Sequence, residues 1–152
     1  MHYGLSGVMV YLASDRPLPL IAWDSDVPAF HTESQETIKL APEAFEKLRS
    51  RFSKPFVYRL GSNQHCGCGF SYFEQFQGGY YEPEEFDAAD RSRQSLASYL
   101  EEALRYQDSL ELWICWAGDE GCKTDDRMDV GPGDFLDPEL FMKERVLMTV
   151  TN

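Results

Sequence analysis

Residues 90–116 read DRSRQSLASYLEEALRYQDSLELWICW, and the hydrophobic period changes midway through them. Up to about residue 106, Leu96, Tyr99, Leu100, Ala103 and Leu104 recur at three- and four-residue intervals, which is one apolar stripe of an α-helix. Asp90 or Ser92 suits the N-cap of that helix, because a short oxygen-bearing side chain can accept from the free amides of the first turn. From Leu110 to Trp116 the period becomes two. Leu112, Ile114 and Trp116 face one way, Trp113 and Cys115 the other. Apolar groups on both sides predict a strand inside a sheet rather than at its margin.

Working outward from this helix and strand, Val8-Met9-Val10-Tyr11-Leu12 is a second strand apolar on both faces. Pro17 and Pro19 stop regular structure after it, since proline lacks an N–H and restricts the residue before it. Ala29-Phe30-His31-Thr32 predicts a short strand. Residues 42–52 predict a helix, with Pro42 in its first turn, Glu43 near the positive end of the dipole, and Phe45, Leu48 and Phe52 on one face. Phe56 to Leu60 is a strand, Gly61-Ser62-Asn63 a turn, and Cys66 to Phe73 the returning strand of a hairpin. Gly78-Gly79 and the acidic run from Glu82 to Asp90 predict a loop, as do residues 118–134. Asp134 to Met142 predicts one or two helical turns, and Arg145 to Thr151 a closing strand with Val146, Met148 and Val150 on one face. The fold class is therefore α+β: one domain over residues 1–152, a mixed sheet of five or six strands, and two main helices expected on one face.

The 152 residues suffice for one core without metal or disulfide staples. The net charge of −12 is unevenly placed: residues 1–80 carry 7 Lys/Arg against 8 Asp/Glu, whereas residues 81–152 carry 7 against 18. Such a surface repels phosphate backbones and anionic lipid, so nucleic-acid binding is not expected. The basic group Lys47, Arg49, Arg51, Lys54 and Arg59 reads as a solvated helix face and its exit. There is no basic n-region ahead of a long apolar run, and no stretch nears the roughly 20 apolar residues of a membrane span. A cytoplasmic location follows, with small-molecule or protein partners and four reduced cysteines.

One segment is chemically unusual: His65-Cys66-Gly67-Cys68-Gly69. On an extended chain Cys66, Cys68, Phe70 and Tyr72 share one face, and Gly67, Gly69 and Ser71 the other. The plain reading makes the cysteines small buried hydrophobes and the glycines a place of close approach. The functional reading places a ligand site there, because glycines admit a ligand to the backbone. Zinc would need about four donors, and Cys66, Cys68, Cys122 and His65 are the candidates, although Cys-x-Cys is tighter than usual zinc spacing. A thiol-dependent enzyme or redox protein would use Cys66 or Cys68, with His31 or His65 as base. A Cys66–Cys68 disulfide would require Gly67 to bend the chain, since extended residues two apart sit near the geometric limit of about 7 Å. No cofactor is predicted. The P-loop, the dinucleotide glycine fingerprint, the His-Glu-x-x-His motif and the nucleophile elbow are all missing, and Asp125, Asp126, Asp129 and Asp134 do not follow calcium-loop spacing.

At Tyr11-Leu12-Ala13-Ser14-Asp15-Arg16-Pro17-Leu18-Pro19, at Leu60-Gly61-Ser62 through Cys66-Gly67-Cys68-Gly69-Phe70, and at Glu144 to Val150, the chain resembles a family of small uncharacterised bacterial proteins. The resemblance implies a bacterial cytosolic domain. It brings no activity and no site residues with it.

Overall fold

The computed structural model describes residues 7–71 and 83–152. Its strands are β1 (Val8–Ser14), β2 (His31–Ser34), β3 (Phe56–Gly61), β4 (Leu110–Trp116), β5 (Asp126–Val130) and β6 (Val146–Val150); its helices are α1 (Pro42–Ser50) and α2 (Pro83–Ala103). The strands form one sheet in the order β2-β3-β1-β4-β6-β5. All pairings are antiparallel except β5 with β6, so the sheet is mixed and the fold is α+β. The strands predicted to be apolar on both faces, β1 and β4, are paired in the middle, with Tyr11 opposite both Arg59 and Trp113.

Alternation in these strands divides the core in two. Val10, Leu12, Tyr58, Leu60, Leu112, Ile114, Met148 and Val150 pack with Leu96, Leu100 and Ala103 of α2 and Leu104 just beyond it. Tyr11, Ala13, Val57, Trp113, Cys115 and Leu147 point the other way and pack with Leu48 of α1 and Phe52 just beyond it. The helices thus lie on opposite faces, not on one. The reason is already present in β1 and β4: a strand apolar on both sides needs cover on both sides.

Three further expectations are corrected. First, α2 begins at Pro83, so residues 83–90 are helical rather than loop. Proline at a helix start loses no bond, and Glu84 and Glu85 favour the positive end of the dipole. Asp90 and Ser92 are therefore interior to the helix. Asp90 faces Arg93 at 3.5 Å, and Ser92 bonds to Asn63. Second, the loop expected over 118–134 contains β5. Met128 and Val130 turn to the first core, and the two short 3-10 turns Pro132–Leu136 and Pro138–Met142 carry the chain across to the parallel β6. Third, Cys66 to Phe73 is not a returning strand, because Gly67–Ser71 is a 3-10 turn. The short strand expected at Ala29 is found as β2, starting at His31. Tyr72, Phe73, the Gly78-Gly79 loop and Glu82 lie outside the described residues.

Candidate functional site

The site starts at the end of β3. Gly61 lies opposite His31 in the β2–β3 register, and a Cβ at Gly61 would run into the His31 ring. Glycine at this position therefore makes room for an imidazole. The chain then turns around Ser62, which is fully buried. Its N–H donates to the Cys66 carbonyl at 2.8 Å and its hydroxyl donates to the same oxygen at 2.7 Å. That hydroxyl oxygen also accepts from the Gln64 and Gly69 amides at 3.1 and 3.0 Å. One serine thus uses its single donor and both acceptor positions to hold the loop. His65 takes a left-handed conformation, φ 73°, to complete the bend.

The bend overturns the expectation of four reduced thiols. The 3-10 turn brings the Cα atoms of Cys66 and Cys68 to 5.4 Å, inside the range a disulfide requires, and the two sulfurs are bonded. Cys115 and Cys122 are free. The Val8 amide donates to Cys68 Sγ, and the Cys68 amide to Cys66 Sγ, each at 3.3 Å. Gly67 presses on β1: a Cβ there would lie 2.8 Å from the Val8 carbonyl oxygen and 2.9 Å from Val10 Cγ2. Phe70, at the end of the segment, is buried in the first core. Residues 66–70 therefore wrap the end of the sheet from one face to the other.

Both candidate histidines are brought together, though not as expected. Their rings stack at 5.2 Å with an interplanar angle of 11°, and Trp23 tilts against each at 4.6 Å. His31 is buried. Its Nδ1 lies 3.0 Å from the Ala29 carbonyl oxygen, which places the proton on Nδ1 and leaves Nε2 a bare, buried acceptor. Burial pulls its pKa below the usual imidazole value. Among the described residues no hydrogen bond joins either imidazole to either sulfur.

Cys66 and His65 form one wall of a cleft of about 780 Å³ on the α1 face. Met9, Tyr11 and Arg59 form its floor, Lys39 and Ala44 the α1 side, and Gly118 and Glu120 the far wall. The polar groups of this cleft are held in place. Arg59 donates to Glu33 at 2.8 Å and to the His65 carbonyl at 2.9 Å, which ties the loop to the sheet. Tyr11 donates its hydroxyl to Glu120 at 2.9 Å, and the other Glu120 oxygen accepts from the Gly118 amide at 2.9 Å. Burial, followed by the Glu120 charge, pushes the Tyr11 phenol far above its ordinary range, so it stays a donor. Arg51 lies 3.3 Å over the Trp113 ring and donates to the Glu120 carbonyl and to Thr124.

The zinc candidates do not form one cluster. Among the described residues no three His, Cys, Asp or Glu side chains gather as a metal site, and Cys122 lies on another loop, beside Arg145. The basic group is dispersed as well: Lys54 pairs with Asp15 at 2.6 Å, Arg59 with Glu33, and Arg51 with Trp113. No described helix is long and apolar enough to cross a membrane. A second concavity of about 890 Å³, beside Met128, Asp134, Leu136 and Met142, contains none of the candidate residues.

Sequence reasoning passed over Tyr11, Arg59, Glu120 and Trp23. Arg59 did carry a signal, being a charge inside the apolar run Phe56 to Leu60. Glu120 carried none, because it is one acid among many in its loop. Comparison of the chain with protein-family models, with curated proteins and with solved structures returns no match.

Proposed function

We propose that this protein is a binding domain whose ligand site is the cleft walled by Cys66 and His65. One observation carries the reading: residues from β1, β3, the approach to α1, the 65–66 loop and the 117–120 loop converge on one concavity of small-molecule size, about 300–1,000 Å³ in general. Its polar groups are pre-oriented by the Arg59–Glu33 and Tyr11–Glu120 contacts, which reduces the ordering cost of binding. The test is thermal shift against a panel of small thiols, amino acids, organic acids and nucleotides, run on the wild type and on Ala44→Trp. That substitution fills the cleft from α1. At least one class should raise the wild-type melting temperature and leave the variant unmoved. A flat panel, or equal shifts in both proteins, ends the reading.

A second reading is favoured by the Cys66–Cys68 bond itself. A half-exposed disulfide on a cleft wall is chemistry as well as shape, and the same site then serves a thiol–disulfide protein. Equilibration over a range of glutathione ratios, followed by alkylation and mass counting, should show a reversible two-electron transition under native conditions. A bond that reduces only on unfolding removes this second reading and leaves the binding cleft standing.

A further inference from the structure

We infer that the two sulfurs divide the work: Cys66 exchanges with a low-molecular-weight thiol or disulfide held in the cleft, and Cys68 is the partner that leaves and returns. The inference rests on the thiol–disulfide reading above and assigns its substrate class and its two roles. Cys66 lines the cleft, together with Arg59 and Tyr11. Cys68 does not. Its sulfur accepts from the Val8 amide at the start of β1 at 3.3 Å, and a Cβ at Gly7 would lie 3.2 Å from it, against 3.5 Å from Cys66 Sγ. Each sulfur accepts one amide, but the donor to Cys66 comes from within the turn and the donor to Cys68 from the sheet. The asymmetry is therefore one of access. A thiol in the cleft reaches Cys66 first, and the sulfur it displaces is already met by a fixed N–H.

The exchange balances as follows. A thiolate RS⁻ attacks Cys66 Sγ, an S–S bond forms between R and Cys66, the Cys66–Cys68 bond breaks, and its electron pair leaves on Cys68 as a thiolate. The Val8 amide stabilises that thiolate until it takes a proton from water. A second RS⁻ attacks the sulfur of R in the mixed disulfide, releasing RSSR and the Cys66 thiolate. Two electrons pass from two RSH to the protein disulfide. In reverse, Cys66 attacks RSSR and Cys68 closes the ring. Exchange rates depend on which sulfur is accessible and on how well the leaving thiolate is stabilised; each sulfur has one amide donor at 3.3 Å, so access decides, and it points to attack at Cys66.

Full-length Cys68→Ser and Cys66→Ser, both reduced, are exposed to oxidised glutathione at neutral pH, and the adducts are located by peptide mass mapping, which separates them from any at Cys115 or Cys122. Cys66 in Cys68→Ser should take up glutathione about tenfold faster than Cys68 in Cys66→Ser. Equal rates, or faster capture at Cys68, overturn the assignment. A wild-type measurement covers the case in which a variant fails to fold. Brief exposure of the oxidised protein to reduced glutathione, quenched with acid, should leave the mixed disulfide on Cys66, and a mixed disulfide on Cys68 overturns the roles. A wild-type disulfide that glutathione leaves untouched under native conditions removes the underlying reading itself, whereas reversible reduction with the wrong sulfur trapped removes only the division of labour.

Discussion

The two faces of the sheet are covered in different ways. On one face α2 lays 21 residues across the strands, and Phe70, Phe135 and Phe141 complete an apolar core around it. On the other, α1 has nine residues and contributes Leu48 as its one buried side chain. Nine residues rise only about 13 Å, which is too short to cover that face. Phe52, Ile38, Leu40 and Phe45 add apolar cover, and beside them lie polar groups that must satisfy one another: Tyr11 with Glu120, Arg51 on Trp113, Arg59 with Glu33. The cleft is what the short helix leaves open. One face is thus built for stability, while the other gives up dry packing and gains a concavity with fixed donors and acceptors.

This contrast can be broken by comparing one substitution on each face. Leu112→Ala removes a fully buried side chain from the α2 face and should cost about 2–5 kcal/mol in chemical denaturation, since the surrounding helix and strands close the cavity only in part. Tyr11→Phe on the other face keeps the ring and takes one donor from the buried Glu120, a loss of about 1–3 kcal/mol. The Tyr11 variant should also lose ligand-induced stabilisation where Leu112→Ala keeps it. If Leu112→Ala abolishes binding and Tyr11→Phe does not, the division between a stabilising face and a binding face is wrong.

Residues 66–70 join the faces, and their glycines offer the next test. Gly67→Val places a side chain against the Val8 carbonyl oxygen and Val10 Cγ2, both within 3.0 Å of the new Cβ. Overpacking of this kind costs about 1–3 kcal/mol. Cys68→Ala removes a half-buried sulfur and the bond to Cys66, and it should lower the melting temperature less than Gly67→Val does, measured under reducing conditions so that the bond is absent from both. Equal melting temperatures for Gly67→Val and wild type would mean that the turn stands off from β1.

Periodicity alone was enough to read β1, β4, β6, the C-terminal part of α2 and α1, because each has a buried face that repeats at 2 or near 3.6 residues. The opposed helices were legible in principle from Tyr11, Trp113 and Cys115, whose outward parity demanded a second cover. The Cys66 segment misled for a physical reason. Alternation of Cys and Gly mimics a strand, yet glycine costs little in a tight turn, and the turn is imposed by Ser62, whose bonds to residues 64, 66 and 69 only folding creates. β5 was hidden because Asp126, Arg127 and Asp129 look like loop until β6 lies beside them. Of the site, Cys66 and the two histidines were named from sequence. Tyr11 with Glu120 was not, since a contact spanning 109 residues has no local signature.

The smallest expected effect concerns His31 and pH. Its ring is 2 % exposed, Nδ1 is committed to Ala29, and Nε2 lies over Gly61 with no partner. Protonation would bury a charge, and that desolvation outweighs the rest: the Ala29 carbonyl and Glu33 favour the charged ring, while Arg59 and His65 oppose it. The folded-state pKa is therefore below that of the unfolded chain, where it is about 6.5. The unfolded state binds the proton more readily. The contribution of neutral His31 is thus fully present above about pH 6.5 and is lost as pH falls through the lower folded-state value. Unperturbed carboxylates titrate at about pH 4, so the window just below about pH 6.5 reports on imidazoles, and a variant at His31 picks out this one. In that window the wild-type melting temperature should fall, and the fall should shrink in His31→Gln, which retains a polar side chain at this position and has no proton to gain. Parallel pH profiles for the two proteins would show that the stacked pair, His31 on His65, accommodates the charge, and that the α1 face tolerates protonation as readily as it holds its other polar groups.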